Sequence, residues 1–182
     1  LLPVNSCKYF IDFYKNNSKY SEHESSFKYK TKQIEEDNYK CMNLTKLSLD
    51  NKNFLKPLEL AKMYISIMVT NYVLYIKNNI CSTFDSTSIC RSSNIRILKY
   101  KQGNYIKDHS DVGDLNRASC TLNLNEDYEG GEFRFFNGRI KESFKTGDAM
   151  LFPAEPIWIH GTEPITKGTR YSINCFLHSK YD

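Results

Sequence analysis

Two histidines and one aspartate are the residues of this sequence best suited to chemistry. His109 and Asp111 lie two residues apart in "KDHSD", in a chain that holds only four histidines. On a strand, residues i and i+2 face the same side, so these two side chains can present a ring nitrogen and a carboxylate oxygen to one point. His160, in "PIWIHG", follows 49 residues after Asp111. Two histidines and one carboxylate predict a metal site with open positions, as in non-haem iron centres.

An isolated His-x-Asp pair is weak evidence, because a solvated turn with a histidine near an aspartate explains it as well. The order of the later residues strengthens it: a run of strands with glycines between them leads to His160, and Arg170 follows ten residues later. On a strand Arg170 can pair bidentately with a carboxylate, although a surface arginine is the simpler interpretation. Lys167 is the rival for that role, but we assign it to the turn before the strand. We interpret His23 and His178 as ordinary surface residues.

The composition predicts a single domain over residues 1–182. A hydrophobic content of 40% and an aromatic content of 14% suffice for a substantial core. The net charge of +4 comes from dispersed lysines interleaved with acidic residues, so nucleic-acid binding is not expected. The six cysteines form no Cys-x-x-Cys motif; free thiols are the simplest interpretation, and a bridge between Cys81 and Cys90 is conceivable in a secreted protein. No signal-peptide pattern is visible in the first residues, which leaves the cytoplasm and the secretory lumen both open.

The chain divides into three stretches that differ in composition and in the pattern of apolar residues. Residues 1–53 predict a few irregular strands and loops, and their role is unreadable from the sequence. Residues 55–80 predict a long and mostly buried helix, with Pro57 in the first turn; its charged and polar residues argue against a membrane span. Residues 94–178 alternate between short apolar runs and turn residues, which is typical of an antiparallel β-sandwich. The runs are "NIRILKY", "SCTLNLN", "GEFRFF", "RIKESF", "AMLFP", "WIHG" and "RYSINCFL".

The region from about Asn94 to Leu177 resembles a known enzyme family. The matching features are Tyr100-x-x-Gly103 before the His-x-Asp pair, "LNLNEDYEGGEFRF", "KTGDAMLFP" and "HGTEPITKGTRYSI", in the family's order and near its spacings. These features resemble the catalytic domain of the prolyl 4-hydroxylases and lysyl hydroxylases, which are dioxygenases dependent on Fe(II) and 2-oxoglutarate. The resemblance covers not quite half of the chain.

The resemblance implies a mainly β protein with packed helices, in which a double-stranded β-helix, or jelly roll, is supported by the long helix. It implies that His109, Asp111 and His160 bind iron and that Arg170 binds the distal carboxylate of 2-oxoglutarate. Three further polar residues are candidate co-substrate contacts, with ordinary core or strand positions as the alternative: Tyr100, Asn123 and Ser172. The implied cofactors are Fe(II), 2-oxoglutarate and O2, with ascorbate as reductant. No catalytic side chain is expected beyond the metal site.

The implied reaction is hydroxylation of a prolyl residue in a protein or peptide, with release of succinate and CO2. Lysyl hydroxylation and small-molecule oxidation on the same iron centre remain alternatives, as do a structural zinc site and a non-catalytic jelly-roll binding module. We expect the loop "VGDLNRAS", with Gly113, Asp114, Asn116 and Arg117, to lie at the mouth of the site. We expect an apolar lining from four residues: Leu122, Leu124, Phe152 and Trp158. Oligomeric state is not predicted.

Overall fold

The computed structural model describes residues 1–28, 33–113 and 115–181, with backbone alone for 25–28 and 33–37. Asp114, one of the loop residues singled out above, lies outside the described residues. The helices are α1 (Val4–Asn16), α2 (Leu44–Asp50) and α3 (Leu55–Asn79), and the strands are β1 (Glu22–Lys28), β2 (Gln33–Asn43), β3 (Arg91–Lys101), β4 (Ala118–Asn123), β5 (Tyr128–Gly130), β6 (Phe133–Phe135), β7 (Ile140–Glu142), β8 (Ala149–Pro153), β9 (His160–Thr162) and β10 (Ile165–His178). None of these helices combines the length and apolar content that crossing a membrane requires.

Two antiparallel sheets face one another. In the described part of the chain the major sheet has the order β1-β2-β3-β10-β4-β8, with β5 paired to the start of β10, and the minor sheet has the order β7-β6-β9. This mainly β arrangement confirms the predicted jelly roll. The seven apolar runs each contain one strand, whereas β5 lies in a stretch that the pattern did not mark as a strand.

The helices cover the outer face of the major sheet. Alternate residues of β4 and β10, including Leu122 and Ile173, point outward and join one apolar cluster with Phe10 of α1 and Ile65 of α3. This cluster is the main core of the protein. The helix predicted at 55–80 is therefore confirmed as a support, but it is not mostly buried: Met63, Ile67, Leu74 and Tyr75 are exposed.

The interpretation of residues 1–53 as an irregular segment is wrong. Its first part is the 13-residue helix α1, whose Cys7, Phe10 and Tyr14 are buried. The sequence gives this helix no capping side chain, so local signals for its start are missing. The segment then forms the β1–β2 hairpin, which extends the edge of the major sheet by pairing β2 with β3.

The inner face of the major sheet is unusually polar for a buried surface. Three inward residues of β10 have polar or aromatic partners on the neighbouring strands. Arg170 pairs with Tyr100, Ser172 pairs with Asn123 and Leu98, and Asn174 pairs with Thr121 and Arg96. Buried polar groups are costly unless they have hydrogen-bond partners, so a polar inner face indicates a binding site.

Candidate metal centre

The structure brings His109, Asp111 and His160 together. Their ligand atoms all lie within 4.8 Å of one another, and no other such group of three is present among the described residues. Nε2 of His109 lies 3.1 Å from Oδ1 of Asp111, and Nε2 of His160 lies 3.3 Å from its Oδ2. The carboxylate thus lies between two imidazoles, and the three donors face a common point.

Backbone contacts fix the two histidines relative to each other. The segment at His109 adds to the edge of β9: each of the two histidines donates its backbone N–H to the carbonyl of the other, both at 2.9 Å. One step away, the backbone N–H of Ile106 donates to Oγ1 of Thr162 at 2.8 Å. The sequence "HGT" suits this place because Gly161 lets the neighbouring segment approach; a Cβ there would lie 2.8 Å from the carbonyl oxygen of Ile106.

Both imidazoles are oriented by the ring nitrogen that faces away from Asp111. Nδ1 of His109 lies 2.8 Å from the carbonyl oxygen of Lys107, and Nδ1 of His160 lies 2.9 Å from that of Trp158. An Nδ1–H that donates to a carbonyl leaves Nε2 as the nitrogen directed at Asp111, where a bound metal can take the place of the Nε2 proton. The pair of contacts therefore selects the tautomer that a metal centre needs.

The electrostatics of Asp111 suit a metal ligand. Burial acts to raise the pKa of this carboxyl group, but hydrogen bonds and charge interactions with His109 and His160 outweigh burial and hold the pKa well below its usual range. The group is ionised and has both oxygens directed at the histidines. Asn116 in the following loop steadies this residue by donating from Nδ2 to the backbone carbonyl of Asp111 at 3.0 Å.

An ion-pair network supports the strand that carries His109. Nε of Arg134 lies 2.9 Å from Oδ1 of Asp108, and its Nη1 lies 3.1 Å from Oε2 of Glu163. Lys141 adds a contact of 2.7 Å to the same glutamate. The network ties β6, β7 and the end of β9 to the residue just before His109, so the ligand is held from several elements.

A cavity of about 240 Å³ opens beside the triad. Its apolar walls come from residues of both sheets: Leu98, Ile106, Phe133, Phe152 and Phe176. The ring of Phe133 lies nearly parallel to that of His160, with centroids 5.4 Å apart. Of the predicted lining residues only Phe152 is confirmed.

The other three predicted lining residues lie elsewhere. Leu122 and Leu124 are on the outward face of their strand and belong to the core under the helices. Trp158 packs against Phe135 and Phe136, with ring centroids 5.8 and 5.4 Å apart. The alternation of β4 was recognised correctly, but alternation alone does not say which face is the inner one.

The four predicted co-substrate residues form a second cluster. Arg170 is only 2% exposed. Its Nε donates to Oδ1 of Asn123 at 3.1 Å, its Nη1 donates to the carbonyl of Gly131 at 2.9 Å, and its guanidinium lies 5.7 Å from the centre of the Tyr100 ring. Ser172 is buried on the same face of β10 as Arg170 and donates to Oδ1 of Asn174 at 3.0 Å.

This second cluster lies behind the cavity wall. Arg170, Tyr100, Asn123 and Ser172 are absent from the cavity lining. The ring of Phe144 connects the two regions, since it lies 5.6 Å from the guanidinium of Arg170 and 6.3 Å from the ring of Phe133. The structure brings these four residues together, and their contact with a co-substrate stays a prediction.

The rival basic residue, Lys167, and the two remaining histidines, His23 and His178, lie away from the triad. Lys167 is exposed and pairs with Glu129 at 2.8 Å. His178 is half-buried, contacts Ser93 through Nε2, and has Nδ1 2.8 Å from the carbonyl oxygen of Leu115. His23 is exposed at the edge hairpin. All six cysteines, Cys81 and Cys90 included, are free thiols.

The fold and the site together are those of a jelly-roll protein with a candidate metal site of two histidines and one carboxylate. Residues 95–178 match the family model described as the 2OG-Fe(II) oxygenase superfamily, so this part of the chain is similar to that superfamily. The chain is 30% identical over 93 residues to a PKHD-type hydroxylase of Idiomarina loihiensis, a match that covers 47% of this chain and 42% of that protein. The match thus spans less than half of that relative's length.

Two solved structures share the fold over nearly the whole chain. A prolyl hydroxylase of Trichoplax adhaerens, in complex with a hypoxia inducible factor peptide fragment, superposes with a TM-score of 0.68 at 13% identity, over 97% of this chain and 80% of that one. The viral collagen prolyl hydroxylase of Paramecium Bursaria Chlorella virus-1, in its 2OG complex, gives a TM-score of 0.56 at 15% identity, over 98% and 91% of the two chains. The agreement extends to the N-terminal residues that the family model does not cover.

Proposed function

We propose that this protein hydroxylates a prolyl residue of a protein or peptide, using Fe(II), 2-oxoglutarate and O2 and releasing succinate and CO2. The observation that carries the proposal is the triad of His109, Asp111 and His160, with both Nε2 atoms and the carboxylate directed at one point. Ascorbate is the expected reductant.

The donor set fits Fe(II) better than a structural zinc ion. Structural zinc sites have four protein ligands in a closed tetrahedron, commonly with cysteine. Here three ligands of nitrogen and oxygen type lie beside an open cavity, and His109 is exposed on one side. Such a set leaves adjacent positions on the metal for a co-substrate and O2.

Arg170 is suited to bind the distal carboxylate of 2-oxoglutarate. Its guanidinium donates to an amide oxygen and a backbone carbonyl and lies against aromatic rings, and no carboxylate pairs with it in the part of the chain that the structure describes. A buried cation without a counter-ion is costly, and an anionic ligand removes that cost. Arg170 does not line the cavity, and the ring of Phe144 lies 5.6 Å from its guanidinium, so we expect Phe144 to move when the co-substrate enters.

The protein's part in the reaction is to bind, orient and exclude water. The iron centre, when loaded, supplies the oxidising chemistry that no side chain can supply. His109, Asp111 and His160 would hold the metal beside the cavity, and Arg170 would orient the co-substrate through its distal carboxylate. Phe133, Phe152 and Phe176 keep the space beside the triad apolar, which protects a reactive centre from water.

A prolyl substrate is favoured by the proteins that share this fold. Both solved structures described above are prolyl hydroxylases by name, and one of them binds a peptide fragment. Their identity to this chain is low, so lysyl and small-molecule substrates stay as alternatives for the same metal centre.

The test is succinate formation from 2-oxoglutarate with Fe(II) and ascorbate, in the wild type, His109→Ala and Arg170→Gln. We expect slow turnover without substrate in the wild type, none in His109→Ala, and a raised 2-oxoglutarate requirement in Arg170→Gln. Metal content after anaerobic purification distinguishes iron from zinc. If iron-loaded wild type neither binds 2-oxoglutarate nor forms succinate, the chain is a jelly-roll binding module and the proposal fails.

A further inference from the structure

A charged pair lies in the wall of the cavity that contains the metal triad. Nη1 of Arg96, on β3, donates to Oε2 of Glu24, on β1, at 2.7 Å. Both residues line the cavity, and their side chains are 14% and 22% exposed. The β1–β2 hairpin brings Glu24 to this place, from a segment to which the resemblance does not extend.

The same wall contains buried polar atoms without partners. Nε of Arg96 and Oγ of Ser119 are buried and have no hydrogen-bond partner among the described residues. Arg96 is held in position by the ring of Phe176, whose centre lies 5.3 Å from its guanidinium carbon. A buried N–H without a partner is unfavourable, so an acceptor that enters the cavity gains more here than at an exposed arginine.

The charge around Arg96 distinguishes it from Arg170. Arg96 is neutralised by Glu24, whereas no carboxylate pairs with Arg170 among the described residues. A second carboxylate at Arg96 meets repulsion from Glu24, while a neutral carbonyl does not. Arg170 therefore suits an anion, and Arg96 suits a neutral polar group.

Arg96 and Glu24 together provide a donor for the carbonyl and an acceptor for the N–H of a peptide group. The buried Nε–H of Arg96 has no partner among the described residues, so it can donate to a carbonyl oxygen if the guanidinium turns toward the cavity, and the carboxylate of Glu24 can accept from an amide N–H. The cavity volume of about 240 Å³ lies below the roughly 300–1,000 Å³ of pockets that enclose a whole ligand. It has room for one substrate residue, whose own peptide group can reach the cavity wall while the rest of the peptide stays outside.

We propose that Arg96 and Glu24 bind the backbone amide of a polypeptide substrate beside the residue that is hydroxylated. The inference rests on the proposed function and deepens it, because it assigns the substrate to peptides and not to free amino acids. A free amino acid has a carboxylate in place of the peptide carbonyl, and Glu24 repels that carboxylate.

The experiment compares Arg96→Gln and Glu24→Gln with a matched surface control, Lys62→Gln, which lies on α3. The probe is a pooled peptide set, acetyl-Xaa3-Pro-Xaa3-amide, measured in two ways. The first is the increase in succinate formation over turnover without peptide. The second is affinity selection of the pool on protein loaded with Co(II), without O2 and without 2-oxoglutarate. L-Proline and L-lysine serve as small-molecule probes in both.

We expect Arg96→Gln to weaken peptide retention at least about tenfold, the loss of one charge-assisted hydrogen bond, with Glu24→Gln smaller in effect. The surface control Lys62→Gln should leave peptide retention, the KM for 2-oxoglutarate and turnover without peptide within about twofold of the wild type. The charge-swapped variant Arg96→Glu with Glu24→Arg separates recognition from folding: it can restore thermal stability through the reversed pair, but it should not restore peptide retention.

Several results overturn the inference. One is a raised KM for 2-oxoglutarate in Arg96→Gln with unchanged peptide retention, which makes Arg96 a co-substrate residue. Another is stimulation of the wild type by L-proline or L-lysine but not by the pool. Absence of pool retention by wild-type protein also contradicts it. The Co(II) selection does not require turnover, so failure of the oxygenase activity and failure of the peptide site are seen separately.

Discussion

His109 and His160 exchange two backbone hydrogen bonds of 2.9 Å, and their ring centroids lie 4.4 Å apart. The two histidines thus form an isolated antiparallel bridge, although 50 residues lie between them in the chain. The candidate metal centre depends on this bridge, because a shift of either segment moves an imidazole away from Asp111.

Replacing His109 with alanine should abolish specific metal binding. The loss of one of three ligands should lower the affinity for Co(II) or Fe(II) by more than about 100-fold, beyond the 10–100-fold typical of residues that only orient ligands. Quenching of the single tryptophan, Trp158, two residues from His160, provides the measurement. His178→Ala is the control and should retain quenching. Equal affinities in the two variants contradict the assignment.

Adding one methyl group at Gly161 should weaken the metal centre without unfolding the protein. A Cβ there would lie 2.6 Å from Oδ1 of Asp108 and 2.8 Å from the carbonyl oxygen of Ile106, so the segment leading to His109 must move. Isothermal titration of Co(II) into Gly161→Ala should show an affinity about 10–100 times lower, as for other changes in ligand orientation. Unchanged affinity with an unchanged circular dichroism spectrum argues that the site does not depend on this close approach.

Arg170 and Lys167 should differ sharply in their effect on the co-substrate. Arg170→Gln removes a buried cation and should raise the KM for 2-oxoglutarate about ten- to hundredfold, the range of one or two charge-assisted hydrogen bonds. Lys167→Gln removes an exposed cation that pairs with Glu129 and should have little effect. Initial rates at varied 2-oxoglutarate give the comparison, and the reverse order of effects identifies Lys167 as the anchor.

The thiols should react at very different rates in the native state. Burial, followed by the nearby carboxylate of Glu24, raises the pKa of Cys41 to about 12. Hydrogen bonds from Thr83 lower the pKa of exposed Cys81. Alkylation requires the thiolate, so at pH 8 iodoacetamide should label Cys81 quickly and Cys41 only after unfolding. Peptide mass mapping after short exposure tests this, and early labelling of Cys41 indicates that the β1–β2 hairpin opens.

Cys41 also gives a pH dependence of stability. Burial raises its pKa in the folded protein to about 12, above the ordinary value of a thiol, so the folded state retains the proton more tightly. Its contribution to the free energy of unfolding is complete below about pH 9 and is lost as pH rises toward 12. Urea unfolding of the wild type and Cys41→Ala across that range should show a steeper decline in the wild type. Parallel curves contradict this assignment.

The clustering of the candidate metal triad was predictable because its signal lies in order and spacing. His109 and Asp111 are two residues apart, and the later histidine follows a recognisable series of strands; the strand expected at His109 and Asp111 is only an isolated bridge from His109 to His160. The wall formed by Arg96 and Glu24 was not predictable, since Glu24 comes from a hairpin whose residues alternate weakly. Nothing local marks Glu24 as a partner for a residue 72 positions later. The inner face of β4 was misassigned for a related reason, because period-two alternation leaves the choice of face to tertiary packing.

Strand β10 pairs with β3, β4 and β5 at once. Its register aligns Arg170 with Tyr100 and Asn174 with Arg96, so four residues of one strand, roughly 13–14 Å, set the spacing between the two arginine-bearing ends of the site. The number of residues between Arg170 and Asn174 therefore fixes the distance between the two ends of the site. Inserting a single residue in β10 would exchange its two faces, so that Tyr171 and Ile173 enter the site and Arg170 turns into the apolar core. Deletions or insertions in β10 should therefore be far more damaging than any substitution in the surrounding loops.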